Sequence, residues 1–332
     1  MIEVTHLSKE FRLADRQPTF AGSFRQLFKP RYRELKAVDD ISFALEKGEF
    51  VGYLGPNGAG KSTTIKMLTG LLVPTSGTMI VDGMIPWKQR TKYVAGIGAV
   101  FGQRSSLWWD LPVSDSLEVL QSLYNVPAAR FRSNLEEFRK LLELDEFIHA
   151  PVRSLSLGQR MRAELCAALL HDPKILFLDE PTIGLDVVAK ERIRRFVQHI
   201  NRERETTVIL TTHDLSDIER LCKRVIILDH GHILYDGMLQ ALIDRFEGEH
   251  LIRLTYSSRE GGGIFDGLRL AQDDGIQAVY AFDHRNLSVP EALSRLQQQI
   301  TIVDFELIRP SVEETIRHIY EEKLLLTPPD KA

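Results

Sequence analysis

The chain of 332 residues carries only two cysteines, Cys166 and Cys222. Two thiols are too few for a zinc module built on four cysteine ligands. Each stands alone in an apolar helical pattern, the setting of a reduced core thiol rather than of a disulfide. No apolar run approaches the length that spans a bilayer, and the opening MIEVTHLSKEF holds no apolar signal segment. A place in the cytoplasm or on the cytoplasmic face of a membrane is therefore expected. Net charge is −4 and the isoelectric point about 6.2, so the global basic footprint of a nucleic-acid binder is missing. What remains is ordinary: 43% hydrophobic and 27% charged residues suit a soluble protein, and the length favours two domains over one.

Against this plain background one stretch stands out, EFVGYLGPNGAGKSTTIKMLTGLL from Glu49 to Leu72. Phe50 to Leu54 is too brief for a helix and reads as a buried strand. Gly55-Pro56-Asn57-Gly58-Ala59-Gly60-Lys61-Ser62 then fits G-x-x-x-x-G-K-[ST] at every position, with Thr63 next. Ile65, Leu68, Leu71 and Leu72 follow at helical spacing, so the loop joins a strand to a helix N-terminus. Bare glycine backbone lets successive N–H groups converge on an anion, and the helix end adds unpaired donors and partial positive charge. Lys61 is placed for the β- and γ-phosphates and the Ser62 hydroxyl for Mg²⁺. A Gly-rich turn that merely contains Lys-Ser is the competing reading; strand before and helix after weigh against it, and point to a nucleoside triphosphate.

Around this stretch, strands and helices alternate, which implies a doubly wound, mostly parallel α/β sheet whose ligands bind beyond the carboxyl ends of the strands. Lys61, Gln103, Asp179, Glu180 and His213 all fall at or just past such ends. Asp179-Glu180 closes the apolar run Ile175 to Leu178, and Pro181 stops that strand from continuing. Ser156 to Gln159 opens a helix through Met161, Leu165, Ala168 and Leu169. Were a nucleoside triphosphate hydrolysed here, the reaction would need in-line attack by a water with charge on the phosphates neutralised. Lys61 and a metal held by Ser62, with Asp179 near its water shell, supply the second need; Glu180 as general base supplies the first.

Two stretches fit more than one role. Residues 12–36 form a basic insert between strands Ile2–Val4 and Val38–Ala44, with Phe20, Phe24 and Phe28 at i, i+4 and i+8. A short helix there would either dock on a membrane or partner, or pack its aromatic face on its own domain. Adjacent Trp108 and Trp109 fit either a partly buried position or a docking surface for another subunit. Beyond about Phe246 the pattern changes to strands at Leu251–Tyr256, Ile276–Phe282 and Ile300–Leu307, a Gly261-Gly262-Gly263 break, and a capping box Ser311-x-x-Glu314 opening a helix. No catalytic constellation stands out in this part.

Taken in order, these motifs resemble those of the ATP-binding-cassette family, specifically the nucleotide-binding subunit of a transporter. Gly55 to Ser62 is similar to Walker A, Gln103 to the Q-loop glutamine, Ser156-Leu157-Gly158-Gln159 to the signature, Ile175 to Glu180 to Walker B, Gly184-Leu185-Asp186 to the D-loop and His213 to the switch histidine. The resemblance covers about residues 1–240. It implies a P-loop NTPase cassette over 1–245, with a mostly parallel core, an antiparallel N-terminal β part and a helical subdomain at 104–160, followed by a small α+β domain at 246–332. It further implies that His213 donates to the γ-phosphate and that Gln103 bridges metal, water and partner surface. The adenine-stacking aromatic would map to Phe11, although Ser8 to Phe11 also reads as a plain strand end. Ser156, Gly158 and Gln159 would close on ATP held by a second subunit, with Asp186 contacting across the seam, so a dimer around two ATP molecules and Mg²⁺ is expected. Partners would be membrane permease subunits, with the ATPase peripheral on the cytoplasmic face of the inner membrane and no nucleic acid bound.

Leu157 stands where the family usually has Gly, a variant similar to drug and polysaccharide exporters, which favours export over import. Soluble cassettes of DNA repair, chromosome structure and translation are the other class. They carry long coiled coils, zinc modules or two cassettes per chain, and none of these is present here. A P-loop kinase would have no reason for the signature or for His213.

Overall fold

The apolar stretches sort into sheets by whether their neighbours in sequence turn back or cross over. The computed structural model describes residues 1–14, 32–102, 105–246, 249–259, 265–284, 286–308 and 316. β1 (Ile2–Ala14) pairs antiparallel with β2 (Tyr32–Leu45). Their ladder runs on through Arg12↔Glu34 to Ala14↔Tyr32, so the flanks of the basic insert are strand. The middle of that insert, with Phe20, Phe24 and Phe28, lies outside the described residues. β3 (Phe50–Leu54) leaves for a second sheet and is followed by α1 (Lys61–Leu68). β4 (Ser76–Val81) returns antiparallel to β1, giving the three-stranded order β2-β1-β4.

α2 (Arg90–Val94), which hydrophobic periodicity did not reveal, leads into β5 (Ile97–Phe101). α3 (Val113–Leu123) and α4 (Ala128–Leu142) divide at Asn125-Val126-Pro127, and α5 (Leu157–Leu169) carries the Ser156 to Gln159 sequence at its start. Then come β6 (Ile175–Asp179), α6 (Val187–Arg204), β7 (Thr207–Thr211), α7 (Leu215–Leu221), β8 (Arg224–Asp229) and β9 (His232–Met238). The six-stranded order is β5-β6-β7-β3-β8-β9, parallel from β5 through β8. Every residue of β3 and β7 is buried, as expected of parallel strands covered on both faces. One core joins Ile2, Ile41 and Phe43 of the antiparallel sheet to Tyr53, Phe177 and Ile209 of the parallel one, with Ile65 and Leu68 of α1. Both cysteines are buried, and burial pushes the Cys166 thiol up to about 12 and the Cys222 thiol up as well. They are inert core residues.

The chain divides into two units, the first running from Met1 to Gly237 and the second beginning at Met238. The second holds α8 (Leu239–Phe246), β10 (Glu249–Arg259), β11 (Arg269–Asp273), β12 (Gln277–Asp283), α9 (Val289–Gln297) and β13 (Ile300–Ile308). Its sheet is antiparallel in the order β11-β12-β10-β13. Ile252, Leu254, Tyr280 and Phe282 pack with Ala292 and Leu296 of α9. α9 opens on a capping box of Ser288 and Glu291 with a proline in its first turn. That signal was legible in Ser-Val-Pro-Glu, whereas the one at Ser311 lies outside the described residues.

Candidate active site

The Gly55–Gly60 loop springs from the end of β3 and ends on α1. Gly60 stands before the helix at φ 107°, where an added Cβ would fall 2.5 Å from the Ala37 carbonyl oxygen of β2, so only glycine fits. Gly58, at φ 85°, has open space around it and leaves the loop backbone bare, with Asn57 exposed beside it. Pro56 O accepts from Ala59 N at 3.1 Å, which rounds the turn. No side chain caps α1, so the N–H groups of its first turn, from Lys61, Ser62 and Thr63, face the loop mouth without helical acceptors. Lys61 is buried; its Nζ donates to Gly55 O (2.5 Å) and Pro56 O (3.1 Å). Burial pulls its ammonium below the ordinary lysine value, while the charges of Glu180 and Asp179 act the other way. That opposition places the cation in the field of both carboxylates.

Those carboxylates are set by strand register. Phe101, Asp179 and Thr211 form one row across β5, β6 and β7. Asp179 Oδ1 accepts from Thr211 Oγ1 at 2.5 Å, and its carbonyl from Gly102 N at 3.0 Å. Glu180 N donates to Thr211 O at 2.9 Å, but Glu180 itself has φ 56°, a left-handed kink that turns its side chain out of the strand. Its Oε1 lies 2.8 Å from His213 Nε2. Ser62, Lys66, Gly102, Asp179, Glu180 and Ile183 bound a cleft of about 470 Å³. The fold thus brings the loop, both carboxylates and His213 together from segments distant in the chain. Gln103, the neighbour of Gly102, lies outside the described residues.

Other expected residues lie elsewhere. Phe11 does not end a strand: β1 continues to Ala14, Phe11 pairs with Leu35, and Lys9 Nζ sits 5.3 Å from its ring centroid. It does not line the cleft. Nor do Ser156, Gly158 and Gln159, which form the start of α5. Ser156 Oγ accepts from Gln159 N (3.2 Å) and Gln159 Oε1 from Ser156 N (2.9 Å), a reciprocal cap. An added Cβ on Gly158 would lie 3.3 Å from Ala189 Cβ, and one on Gly184 3.1 Å from Leu157, so this helix start rests on the 184–189 turn. Asp186 caps α6 there, Oδ1 accepting from Ala189 N at 2.8 Å. Trp108 and Trp109 are 41% and 52% exposed, so each is partly covered and still presents surface to solvent. Sequence reading missed Thr211, which orients Asp179, and Glu164 of α5, whose buried carboxylate accepts from Ser105 Oγ and from Ser106 N and Oγ (3.0 and 2.5 Å). No local pattern marks either residue, because their partners come from other elements.

A strand–glycine loop–helix at the end of a parallel sheet, facing an Asp-Glu pair and a histidine, defines a P-loop nucleoside triphosphatase. The family model for the ABC transporter matches residues 38–183. The ABC transporter ATP-binding protein NatA of Bacillus subtilis is 34% identical over 224 residues, 68% of this chain and 91% of that protein. The daunorubicin resistance ATP-binding protein DrrA3 of Streptomyces coeruleorubidus is 32% identical over 299 residues, 87% of this chain and 92% of that protein. Among solved structures, the dimeric post-hydrolysis state of the ATP-binding cassette MJ0796 bound to ADP and Pi is similar with a TM-score of 0.61 and 26% identity, over 72% of this chain and 98% of that one. The chain belongs to the ABC transporter ATP-binding proteins. It is an ATPase.

Proposed function

We propose that this chain powers export by closing, as a dimer, on two ATP molecules beneath separate membrane permease subunits. The observation that carries the reading is the division of the motifs. Glu180 and His213 stand 2.8 Å apart beside the cleft that Ser62 and Asp179 line. Ser156, Gly158 and Gln159 are not part of that cleft, so a second copy would supply them to the first copy's ATP. A helix N-terminus bearing Ser156 suits an anion delivered from another subunit.

Within one site, Glu180 accepts a proton from the attacking water, and His213, beside Glu180, donates to the γ-phosphate. Lys61 meets the β- and γ-phosphates at the loop mouth. Ser62 and Asp179 offer oxygen on one cleft, the donor type Mg²⁺ takes, with Gln103 the further candidate from sequence. When bound, Mg²⁺ neutralises charge on the β- and γ-phosphate oxygens. Asp186, at the N-cap of α6, contacts across the seam.

Trp108, Trp109 and Leu111, like Val119 and Leu123 of α3, are exposed apolar residues of the kind a permease subunit could cover. No described helix is long and apolar enough to cross a membrane. As the partner of membrane permease subunits, the chain would work peripherally on the inner membrane's cytoplasmic face. Export is favoured by the drug-resistance relative and by Leu157. Nucleic acid is not expected as a partner, given the −4 net charge.

Glu180→Gln tests the assignment. It should bind ATP normally and lose turnover by about 10² or more, the typical contribution of a general base. Wild-type turnover in that variant would refute it.

A further inference from the structure

Behind the active site lies a carboxylate that none of the motifs includes. Asp217, on α7, is fully buried at 0% exposure. Its Oδ1 accepts from Arg194 Nε of α6 at 2.5 Å. Its Oδ2 accepts from two hydroxyls at once, Thr182 Oγ1 at 2.5 Å and Thr212 Oγ1 at 3.2 Å. Thr182 follows Glu180 by two residues, with the stiff Pro181 between them. Thr212 immediately precedes His213. One oxygen atom therefore fastens both loops that carry the Glu180–His213 pair.

We propose that Asp217 is a positioning residue for hydrolysis: it holds Glu180 and His213 in mutual register and ties them to α6. A carboxylate removed from water has to be fully partnered, and here both of its oxygens are. Each loop is thereby held to within a hydrogen-bond length of the same atom. The tie extends further through the same cluster. Arg194 also donates from its Nη2 to Ser216 Oγ at 2.7 Å, Lys190 of α6 donates to Asp214 at 2.6 Å, and Thr212 Oγ1 accepts from Asp214 N at 3.0 Å. α6 begins at Asp186, the residue expected at the subunit seam, so displacement of that helix reaches Glu180 through Arg194, Asp217 and Thr182. The threonines do not line the cleft, so their hydroxyls act on the geometry of the pair and not on ATP itself.

The proposal rests on Glu180 and His213 as the catalytic pair, and the experiment separates the two ideas. Steady-state ATPase rates are measured on the full chain carrying Thr182→Val, Thr182→Ser or Thr212→Val, beside Glu180→Gln, with thermal midpoints recorded for each. Thr182→Val should lower kcat about tenfold while KM for ATP stays within about twofold, because misplacement of a catalytic group affects the transition state and leaves ground-state binding alone. Thr182→Ser, which keeps the hydroxyl, should restore kcat to within about twofold of wild type. Should Thr182→Val fail to fold, Thr212→Val makes the same test from the other loop. A folded valine variant with wild-type kcat, or a serine variant as impaired as the valine one, would overturn the proposal. An inert Glu180→Gln beside a fully active Thr182→Val would remove Asp217's role and leave the pair standing. Wild-type turnover in Glu180→Gln would refute the pair itself.

Discussion

His171 shows how a single side chain can set an acid limit. It follows α5 and lies flat on Tyr124, ring centroids 4.1 Å apart at 7°. Its Nε2 is 2.9 Å from the Ile97 carbonyl oxygen, which can only accept, so Nε2 carries the proton. Nδ1 is buried without a hydrogen-bond partner, and a proton there would put an unpaired charge inside the protein. Burial accordingly lowers the His171 pKa from its ordinary value. Because the unfolded chain takes up that proton near pH 6.5 and the folded one resists it, stability should fall as pH drops below about 6.5. Replacing His171 with Gln should flatten that part of the thermal midpoint against pH, between about pH 7 and 5. An unchanged slope would show that His171 does not contribute. At this scale the sequence named Glu180 and His213 but not their supports, Thr211 and Asp217, because a hydroxyl or carboxylate becomes a support only when another element brings its partner.

Several hydrogen bonds tie the segment from Ser105 to Trp108 to α5 and α3. Glu164, two turns into α5, holds Ser105 and Ser106, and Trp108 N donates to Ser116 Oγ of α3 at 3.3 Å. Arg162 of the same helix closes the C-terminal end of α4 by donating to Leu142 O at 2.8 Å and Glu143 O at 3.2 Å, and its guanidinium lies 4.8 Å from the Phe147 ring. The tryptophans are thus anchored through their backbone while about half of each residue is open to solvent, with the Trp109 ring 5.9 Å from the Arg160 guanidinium. Changing both Trp108 and Trp109 to Ala should leave the thermal midpoint nearly unchanged, since exposed rings contribute little to the core. A tagged chain carrying both changes, recovered from detergent-solubilised membranes, should lose its multi-span partners yet still bind ATP. If those partners stay bound, the docking surface lies elsewhere. Sequence periodicity located α3, α4 and α5 well, but a turn of helix as short as α2 leaves too little pattern to read.

For the molecule as a whole, the separation of Ser156 from the cleft makes a complementation test decisive. Lys61→Ala disables the phosphate loop. Ser156→Asp keeps a good N-cap for α5 but sets a negative charge against phosphate. Each variant alone should hydrolyse little ATP. Mixed, they should form heterodimers in which one site joins an intact loop to an intact signature, and activity should reappear. No recovery in a mixture shown to contain heterodimers would mean that each copy completes its own site.

Local pattern in the chain was sufficient for the phosphate loop, the ends of the parallel strands, the carboxylates at the end of β6 and the family. These depend on residues adjacent in sequence, where glycine conformation, side-chain period and helix caps act directly. Only the tertiary structure decided that β1 and β2 extend through the flanks of the insert, that Phe11 lies within a strand and away from the cleft, and that the tryptophans are exposed. It alone showed that one buried oxygen of Asp217 joins the loops of Glu180 and His213. Such contacts depend on which segments the sheet order brings side by side, and burial gives them their strength; neither is written in any one stretch of sequence.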